Sequence, residues 1–393
     1  MTDFLLKKFV KNYQDTKNVE VRENYGTFAG ITGIIVNIIL CIAKFVAAIF
    51  SGFAISVIAD ALNNLFDAGS SVVTYAGFKM ANKEEDEDHP FGHGRIEYIA
   101  GLIISFIIIL VGFELIKESI SKIFNPEANS YSVVSVVIMA VAILVKIWLG
   151  LFNRKLGKKI NSAALKATAM DSFCDVCATS AVLIGLVIGL VFNINAEGYT
   201  GTIVAAFIIY TGVMAAKDTL SPLLGEAPDE EFVEEIEKTV LAHDIIIGIH
   251  DLIVHDYGPG RKILSLHAEV SAEGDVLEIH DAIDLIEMEL NSKFHCITTI
   301  HMDPVNLNCE VTNKLKSEIS NILKDIDSSL SFHDFRTVSG PTHTNLIFDV
   351  VMPYNFKISA ENLKKTIKEK ISEVDENYFC VINIDKKFVN TKE

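Results

Sequence analysis

Two apolar segments of the chain carry oxygen-bearing side chains at helical spacing. Asn63 and Asp67 are four residues apart in one segment, and Asp171 and Asp175 are four apart in the other. Residues at this spacing lie on one face of a helix. Two such faces turned toward each other would supply three carboxylates and one amide oxygen. Because all-oxygen sites suit Mn²⁺, Mg²⁺ or Ca²⁺, whereas Zn²⁺ favours imidazole and thiolate, the spacing predicts a site for a hard divalent cation.

A purely structural role for these acids is the alternative. Hydrogen bonds, or the lysines Lys44 and Lys146 in other apolar segments, would then neutralise carboxylates that only brace the helices. Ionisable side chains in lipid are costly and mark functional sites by default. Their occurrence as two pairs in separate segments favours the cation site. Cys174, three residues after Asp171, is interpreted as a packing residue; as a thiolate ligand it would favour softer metals.

The segments that hold these residues belong to a set of six apolar stretches. A helix that crosses a membrane needs about 20 mostly apolar residues. Half of the 393 residues are apolar, and the mean hydropathy is +0.35. The stretches run over Thr27–Phe53, Ala54–Met80, Tyr98–Ile116, Ser132–Phe152, Ala163–Phe192 and Tyr199–Ala216. They predict an all-α six-helix bundle in the cell membrane.

Basic residues between the stretches predict the orientation of this bundle. The connection between the fourth and fifth stretches carries Arg154, Lys155, Lys158 and Lys159, and the N-terminal tail is also basic. The connection Asn193–Gly201 has no Lys or Arg. Because basic loops stay on the cytoplasmic side, we expect both termini in the cytoplasm.

The composition argues against several classes of protein. A net charge of −17 argues against nucleic-acid binding, because phosphate binding needs a basic face. The six cysteines lack the spacing of a disulfide framework, so we expect them to be reduced. The spans show no H-E-x-x-H motif of a zinc enzyme and no broken spans with pore loops, which argues against a metalloenzyme and a channel.

After Ser221 the chain becomes charged and predicts two copies of one small fold. The order helix, strand, strand, helix, strand occurs once in 221–306 and again in 307–393. The tripeptide Ile249-His250-Asp251 is echoed by Phe332-His333-Asp334, which supports a duplication. We therefore predict two related α+β domains, ferredoxin-like and similar to metallochaperones.

The connection between the second and third stretches contains a first additional set of candidate metal ligands. Asp86, His89 and His93 follow one another at spacings of three and four, which can gather ligands around an ion. The alternative is an acidic, solvated loop in which His89 caps a helix.

The first α+β copy contains a second additional set. His267 falls on the polar face of its strand, and His301 and Asp303 share one face of the last strand, so a sheet could bring them together. Surface histidines without a role are the alternative. The second copy has Asp349 in place of His267 and Asn383 in place of His301. We therefore expect that it has lost strong metal binding and serves as a structural or dimerisation extension.

Three motifs resemble those of the cation diffusion facilitator family. Ser56–Asp67 resembles the family's second-helix motif, Asp171–Asp175 its fifth-helix motif, and Asp88–Glu97 the signature between its second and third helices. The resemblance covers about residues 25–305. It implies a homodimeric exporter that exchanges a divalent metal for protons by alternating access.

The resemblance also implies three sets of metal ligands. The transport site falls on Asn63, Asp67, Asp171 and Asp175; a loop site falls on Asp86, His89 and His93; cytoplasmic ligands fall on His250, His267, His280, His301 and Asp303. Zinc-transporting members usually have His or Asp at the position of Asn63 and His at that of Asp171. The chain departs at both positions and resembles the bacterial manganese branch.

Together these observations predict a Mn²⁺/H⁺ antiporter and not an enzyme. Clustered carboxylates hold protons when no metal is bound, and metal entry displaces them. An exporter of Fe²⁺, Zn²⁺ or Co²⁺ is the alternative within the family. A membrane-tethered metal sensor would explain the cytoplasmic histidines but not the intramembrane acids. We expect no cofactor, with the metal as substrate and as a candidate regulatory ligand.

The same observations divide the chain into four parts. Residues 1–26 are predicted to be a cytoplasmic tail, 27–220 the transmembrane transport domain, 221–306 the metal-binding and dimerisation domain, and 307–393 the second α+β domain. The expected partners are the metal ion, protons, membrane lipid and a second copy of the chain, with no nucleic acid.

Overall fold

The structure is a computed structural model that describes residues 2–16, 18–50, 55–124, 133–192, 197–306, 309–353 and 355–387. The chain divides into two compact units. The first comprises Met1–Glu226 together with the short segment Asp256–Arg261, and the second comprises Ala227–His255 and Lys262–Glu393.

Helices make up most of the described length of the first unit. A short helix precedes six long ones, which run as α1 Thr2–Phe9, α2 Val19–Phe50, α3 Ile55–Ala81, α4 Ile96–Phe124, α5 Val133–Lys159, α6 Ala163–Phe192 and α7 Glu197–Leu224. The bounds of α6 coincide with the predicted stretch. The helix α3 is displaced by one residue from its predicted stretch, whereas α2 begins earlier and α4, α5 and α7 end later than predicted, because hydropathy marks only the part of a helix that suits lipid.

The start of α2 shows why the apolar pattern misplaced it. The helix begins at Val19, well before the predicted Thr27. The side chain of Asn18 accepts hydrogen bonds from the backbone N–H groups of Glu20 (2.9 Å) and Val21 (3.3 Å). This N-cap satisfies donors that the first turn leaves unpaired, so the helix starts inside a polar sequence.

Within the described residues, four helical segments are long and apolar enough to cross a membrane. They are Val19–Val46, Ile96–Phe124, Val136–Lys159 and Gly198–Leu224. The helices α3 and α6, of 27 and 30 residues, contain the predicted transport ligands, Asn63 and Asp67 on α3 and Asp171 and Asp175 on α6.

Glycines allow α4 and α7 to pack closely. A Cβ atom added to Gly112 of α4 would lie 2.6 Å from Cγ1 of Ile209, and one added to Gly212 of α7 would lie 2.7 Å from Cγ1 of Ile109. Small residues at such crossings let helix backbones approach, which is how helices associate in lipid.

A buried ion pair joins the ends of three helices. Arg22 near the start of α2 lies 3.2 Å from the carboxylate of Glu97 at the start of α4. Its guanidinium also donates a hydrogen bond to the carbonyl of Ile160, directly after α5. Side-chain exposures of 11% and 4% for Arg22 and Glu97 place this pair away from solvent.

The second unit contains two three-stranded sheets covered by helices. Its elements are α8 Glu230–Leu241, β1 Gly248–Asp256, β2 Lys262–Ser271, α9 Val276–Phe294, β3 Cys296–Val305, α10 Glu310–Ile326, β4 Ser331–Ser339, β5 Thr344–Pro353, α11 Ala360–Val374 and β6 Tyr378–Lys387. The strand orders are β1-β2-β3 and β4-β5-β6. Each sheet has its own apolar core, one around Ile236, Leu266 and Ile286 and the other around Phe348, Leu363 and Ile367.

The two copies share their strand pairing as well as their element order. β2 pairs with β3 in parallel with His267 opposite His301, and β5 pairs with β6 in parallel with Asp349 opposite Asn383. Asp251 and Asp334 both have a left-handed backbone, with φ of 52° and 54°. A non-glycine residue rarely adopts this conformation, so its recurrence at equivalent positions marks the copies as repeats. The ferredoxin-like description of each copy stays a prediction.

Candidate metal sites

Three elements bring two of the predicted intramembrane acids to one point. Lys146 of α5 donates hydrogen bonds from Nζ to the carboxylates of Asp67 on α3 (2.7 Å) and Asp175 on α6 (2.6 Å). The side chains are 6%, 15% and 21% exposed for Lys146, Asp67 and Asp175. The structure therefore places an ammonium group between the two carboxylates.

The other two predicted transport ligands lie beside this group in different ways. Asp171, one turn before Asp175, is buried, and its charge acts on those of Asp67 and Asp175. Asn63, one turn before Asp67, is exposed. Among the described residues, these acids are not gathered with their ligand atoms all within 4.8 Å of one another, as the groups outside the membrane helices are.

Cys174 is buried among apolar side chains. It is buried in a cluster with Ile104 and Ile108 of α4 and Ile208 of α7. Its Sγ lies 3.6 Å from the hydroxyl of Thr211. These contacts fit the packing role expected for this residue.

The ammonium of Lys146 lies where it neutralises two carboxylates at once. Its Nζ occupies the point from which both carboxylates are within hydrogen-bond distance. A cation bound to both carboxylates needs the same volume and neutralises the same charges. Metal binding at this point therefore requires that the ammonium moves away.

The loop residues Asp86, His89 and His93 come together as the spacing predicted. The Asp86 carboxylate lies 3.2 Å from Nδ1 of His89 and 3.4 Å from Nε2 of His93. The Nδ1 of His93 lies 3.2 Å from the carbonyl of Glu84, so it carries the proton and leaves Nε2 free to bind metal. A hydrogen bond from Lys83, followed by bonds from His89, holds the pKa of Asp86 below its ordinary range. The site thus offers two imidazoles and an ionised carboxylate.

The glycines of this loop have a packing role. The segment Asp256–Arg261, which belongs to the first unit, lies against the loop. A Cβ added to Gly94 would lie 2.8 Å from the carbonyl oxygen of Tyr257, and Gly258 has a φ of +118°. Arg95 donates hydrogen bonds to the carbonyl of Asp256 at 2.8 and 3.0 Å. At Gly94 the loop backbone therefore packs directly on this segment, and the Arg95 side chain bonds the two together.

Most of the predicted cytoplasmic ligands converge on Asp303. Its carboxylate lies 2.8 Å from Nδ1 of His267, 3.2 Å from Nε2 of His250 and 3.4 Å from Nε2 of His301. His250, His267 and Asp303 have ligand atoms within 4.8 Å of one another. His280 is not in this group: it lies 3.5 Å from Asp284 on α9 with 61% of its side chain exposed.

The second α+β copy contributes a residue that the sequence analysis did not include among the ligands. His333 stacks on His250, with ring centroids 4.4 Å apart, and forms a compact group with His250 and Asp251. Burial lowers the pKa of His250, but the hydrogen bond and charge of Asp251 and the charge of Asp303 outweigh it and raise the pKa. The echoed tripeptides at 249–251 and 332–334 were the signal that could have paired these histidines.

Both units of the chain match sequence profiles of one protein family. Residues 30–224 match the cation efflux transmembrane domain, and residues 228–305 match the cytoplasmic domain of cation efflux proteins. The second α+β copy lies beyond both matched ranges.

Relatives of similar architecture come from archaea and bacteria. The chain is 31% identical over 263 residues to an uncharacterised transporter of Methanocaldococcus jannaschii, covering 67% of this chain and 92% of the relative. It is 26% identical over 293 residues to the manganese efflux system protein MneP of Bacillus subtilis, covering 72% and 97%. It is 25% identical over 291 residues to the cation-efflux pump FieF of Escherichia coli, covering 73% and 96%. The chain therefore belongs to the cation efflux, or cation diffusion facilitator, family of multi-pass membrane transporters for divalent cations.

Proposed function

We propose that this transporter exports Mn²⁺ in exchange for protons. The observation that carries the proposal is the cluster of Asp67, Asp171 and Asp175 around Lys146, with Asn63 one turn away. Its anionic ligands are carboxylate oxygens, and the described contacts bring no imidazole to them. Oxygen donors suit Mn²⁺, whereas Zn²⁺ gains more from imidazole or thiolate. The similarity to MneP, a manganese efflux system protein, supports the same metal.

Six membrane crossings are part of this proposal. The helices α3 and α6 accompany the four strongly apolar segments and match them in length. Their acids pair with a lysine inside the bundle, which lowers the cost of burying charge in lipid. With the basic loop after α5 on the cytoplasmic side, both termini lie in the cytoplasm.

Proton exchange follows from the charge of the same cluster. Three neighbouring carboxylates face one ammonium group, so without a metal the carboxylates in excess of the ammonium repel one another unless they bind protons. Protons supplied from the acidic side neutralise that charge and favour metal release, and metal entering from the cytoplasm displaces them. One protein can thereby couple an inward proton gradient to outward metal movement.

A homodimer is the proposed working form. The matched cytoplasmic domain of the family includes His280, whose side chain is exposed and outside the His250–His267–Asp303 group. An exposed ligand-type residue on α9 is available to a second copy. Metal bound at Asp303 would then have a regulatory or dimer-bridging role. Metal bound at the loop site around Asp86 would have a regulatory role within one copy.

The test uses vesicles that contain the purified chain and a metal-sensitive dye, with an acidic exterior and neutral interior. We expect wild type to move Mn²⁺ outward and to stop when an ionophore removes the proton gradient. The variant Asp171→His should gain Zn²⁺ transport, because an imidazole joins the oxygen ligands. Glu118→His is the matched control, since Glu118 is an exposed carboxylate paired with Lys122.

Each outcome of this test bears on a different part of the proposal. Transport of Zn²⁺ with Mn²⁺ ignored would show that the oxygen-ligand argument fails. Mn²⁺ movement that persists without a proton gradient would contradict the antiport mechanism. A gain of Zn²⁺ transport in Glu118→His as well as in Asp171→His would show that the cluster around Lys146 does not determine which metal is transported.

Export of another divalent metal is the second candidate function. The similarity to FieF, a cation-efflux pump, has nearly the same extent and identity as that to MneP. The same vesicles loaded with Mn²⁺ and an equal concentration of Fe²⁺, Co²⁺ or Zn²⁺ distinguish the candidates. The metal that is exported fastest, and that slows export of the others, is the preferred substrate.

A further inference from the structure

We propose that the second α+β domain supplies a ligand, His333, to a metal site that it shares with His250 and Asp251 of the first. The site takes a divalent transition metal such as Co²⁺ or Zn²⁺. His333 lies outside the matched cytoplasmic domain of the family, which ends at residue 305. The inference concerns a site away from the membrane helices and does not depend on which metal is transported.

The geometry brings together side chains from both copies. The three residues offer ligand atoms that all lie within 4.8 Å of one another. The Nε2 of His333 lies 3.7 Å from Oδ1 of Asp251 and 3.5 Å from Oδ2 of Asp385. Asp385 is thus a candidate fourth ligand from the last strand. Two imidazoles with one or two carboxylates are a common ligand set for such metals.

Burial and missing hydrogen bonds point to a ligand at this position. The side chains of His250 and His333 are 7% and 12% exposed. Among the described residues, Nδ1 of His333 has no hydrogen-bond partner, and Nε2 of His250 lies 3.2 Å from the carboxylate of Asp303 without hydrogen-bond geometry. Buried polar atoms nearly always have a partner, because an unpaired one costs the energy of its lost hydration. A metal ion bound to one of these nitrogens would remove that cost.

The arrangement of the rings also favours a shared cation. Two imidazole rings stack nearly parallel, with an interplanar angle of 25°, and carboxylates of Asp251 and Asp385 lie around them. Nitrogen and oxygen ligand atoms from both copies thus face the same small volume. His250 also contacts Asp303, so the proposed site adjoins the group formed with His267.

The test replaces His333 by cysteine in the full-length protein in detergent and adds Co²⁺. Cysteine retains metal binding, and a thiolate bound to Co²⁺ gives a charge-transfer band in the near ultraviolet. We expect this band in His333→Cys and its loss when His250→Ala is added. Wild type reports any contribution of the six native cysteines. His343→Cys is the matched control, since His343 contacts Thr342 and Phe379 in the same domain.

A measurement on wild type guards against misfolding of the variant. Cu²⁺ with ascorbate oxidises histidines that bind the metal, and mass spectrometry locates the oxidised residues. We expect oxidation of His333 together with His250 and not of His343. Absence of a new band in a folded His333→Cys protein, or an unoxidised His333 in wild type, would overturn the proposal.

Discussion

Lys146 is the residue that most changes the interpretation of the intramembrane acids. The sequence analysis gave Lys146 as a structural counter-ion, in opposition to a metal site, and its ammonium does pair with Asp67 and Asp175. In the proposed transport site, a metal would have to replace the ammonium at these two carboxylates.

We therefore expect Lys146→Met to lose stability without metal and to recover it with Mn²⁺. Removing one partner of a buried ion pair costs about 3–5 kcal/mol. Mn²⁺ should then raise the melting temperature of the variant more than that of wild type, because no ammonium competes for the carboxylates. Thermal unfolding in detergent, with and without Mn²⁺, measures both effects.

Lys122→Met is the control for this substitution. Lys122 forms an ion pair with Glu118 near the end of α4, and Glu118 is 62% exposed. Such pairs contribute about 0–1 kcal/mol. Equal stabilisation of wild type and Lys146→Met by Mn²⁺ would place Lys146 outside the metal site.

The candidate ligand groups outside the membrane helices differ in how well the sequence predicted them. The spacing of Asp86, His89 and His93 predicted a local group because the ligands lie in one short loop. The grouping of His250, His267 and Asp303 was carried by the family resemblance and strand faces. The echo of residues 249–251 in residues 332–334 marked His333 as the counterpart of His250, but the stacking of the two rings depends on how the two α+β copies pack, which the repeat alone does not encode.

At the scale of elements, the crossing of α4 and α7 depends on the absence of side chains. The Cβ added by Gly112→Ala would lie 2.6 Å from Cγ1 and 3.2 Å from the backbone N of Ile209. We expect this change to lower the melting temperature, since over-packing costs about 1–3 kcal/mol. A scan of unfolding in detergent gives the measurement.

Gly69→Ala on α3 provides the comparison. A Cβ there has no neighbouring atom within 4 Å. Alanine also has a better helix propensity than glycine by about 1 kcal/mol, so stability should stay the same or rise. Equal destabilisation by both changes would show that loss of glycine itself, not the α4–α7 contact, is responsible.

The elements themselves were predictable wherever one physical signal dominated. The bounds of α6 were predicted because the helix begins and ends where its apolar run does, with no polar turn added at either end. The helix α2 does not, because capping by Asn18 sets its start while hydropathy marks only the lipid-facing part. The strands were predicted from alternating apolar residues and the turns between them. The parallel registers of β2 with β3 and of β5 with β6 are visible only in the structure.

At the scale of the whole molecule, the second α+β domain is an addition to a complete transporter. The alignments with MneP and FieF cover 97% and 96% of those proteins but only 72% and 73% of this chain. The apolar cores of the two α+β copies share no residue among those described. The two copies therefore have separate apolar cores within the second unit.

We expect a chain that ends at Asn306 to export Mn²⁺ at a rate within about twofold of the full-length protein, because domains with separate cores fold independently. The cytoplasmic metal affinity should fall, since His333 is lost. Vesicle transport and Co²⁺ titration of the same preparation measure the two properties. Loss of transport by a folded, dimeric truncated protein would show that the second domain takes part in the transport cycle.

The ion pair of Arg22 with Glu97 has a mechanical consequence for transport. It joins α2 and α4, and the same guanidinium holds the end of α5, so three helices share a fixed point at one end of the bundle. Separating them there would break a buried ion pair, at a cost of about 3–5 kcal/mol. We therefore expect relative movement of these helices during transport to be smallest at the Arg22 end and largest at the opposite end of the bundle.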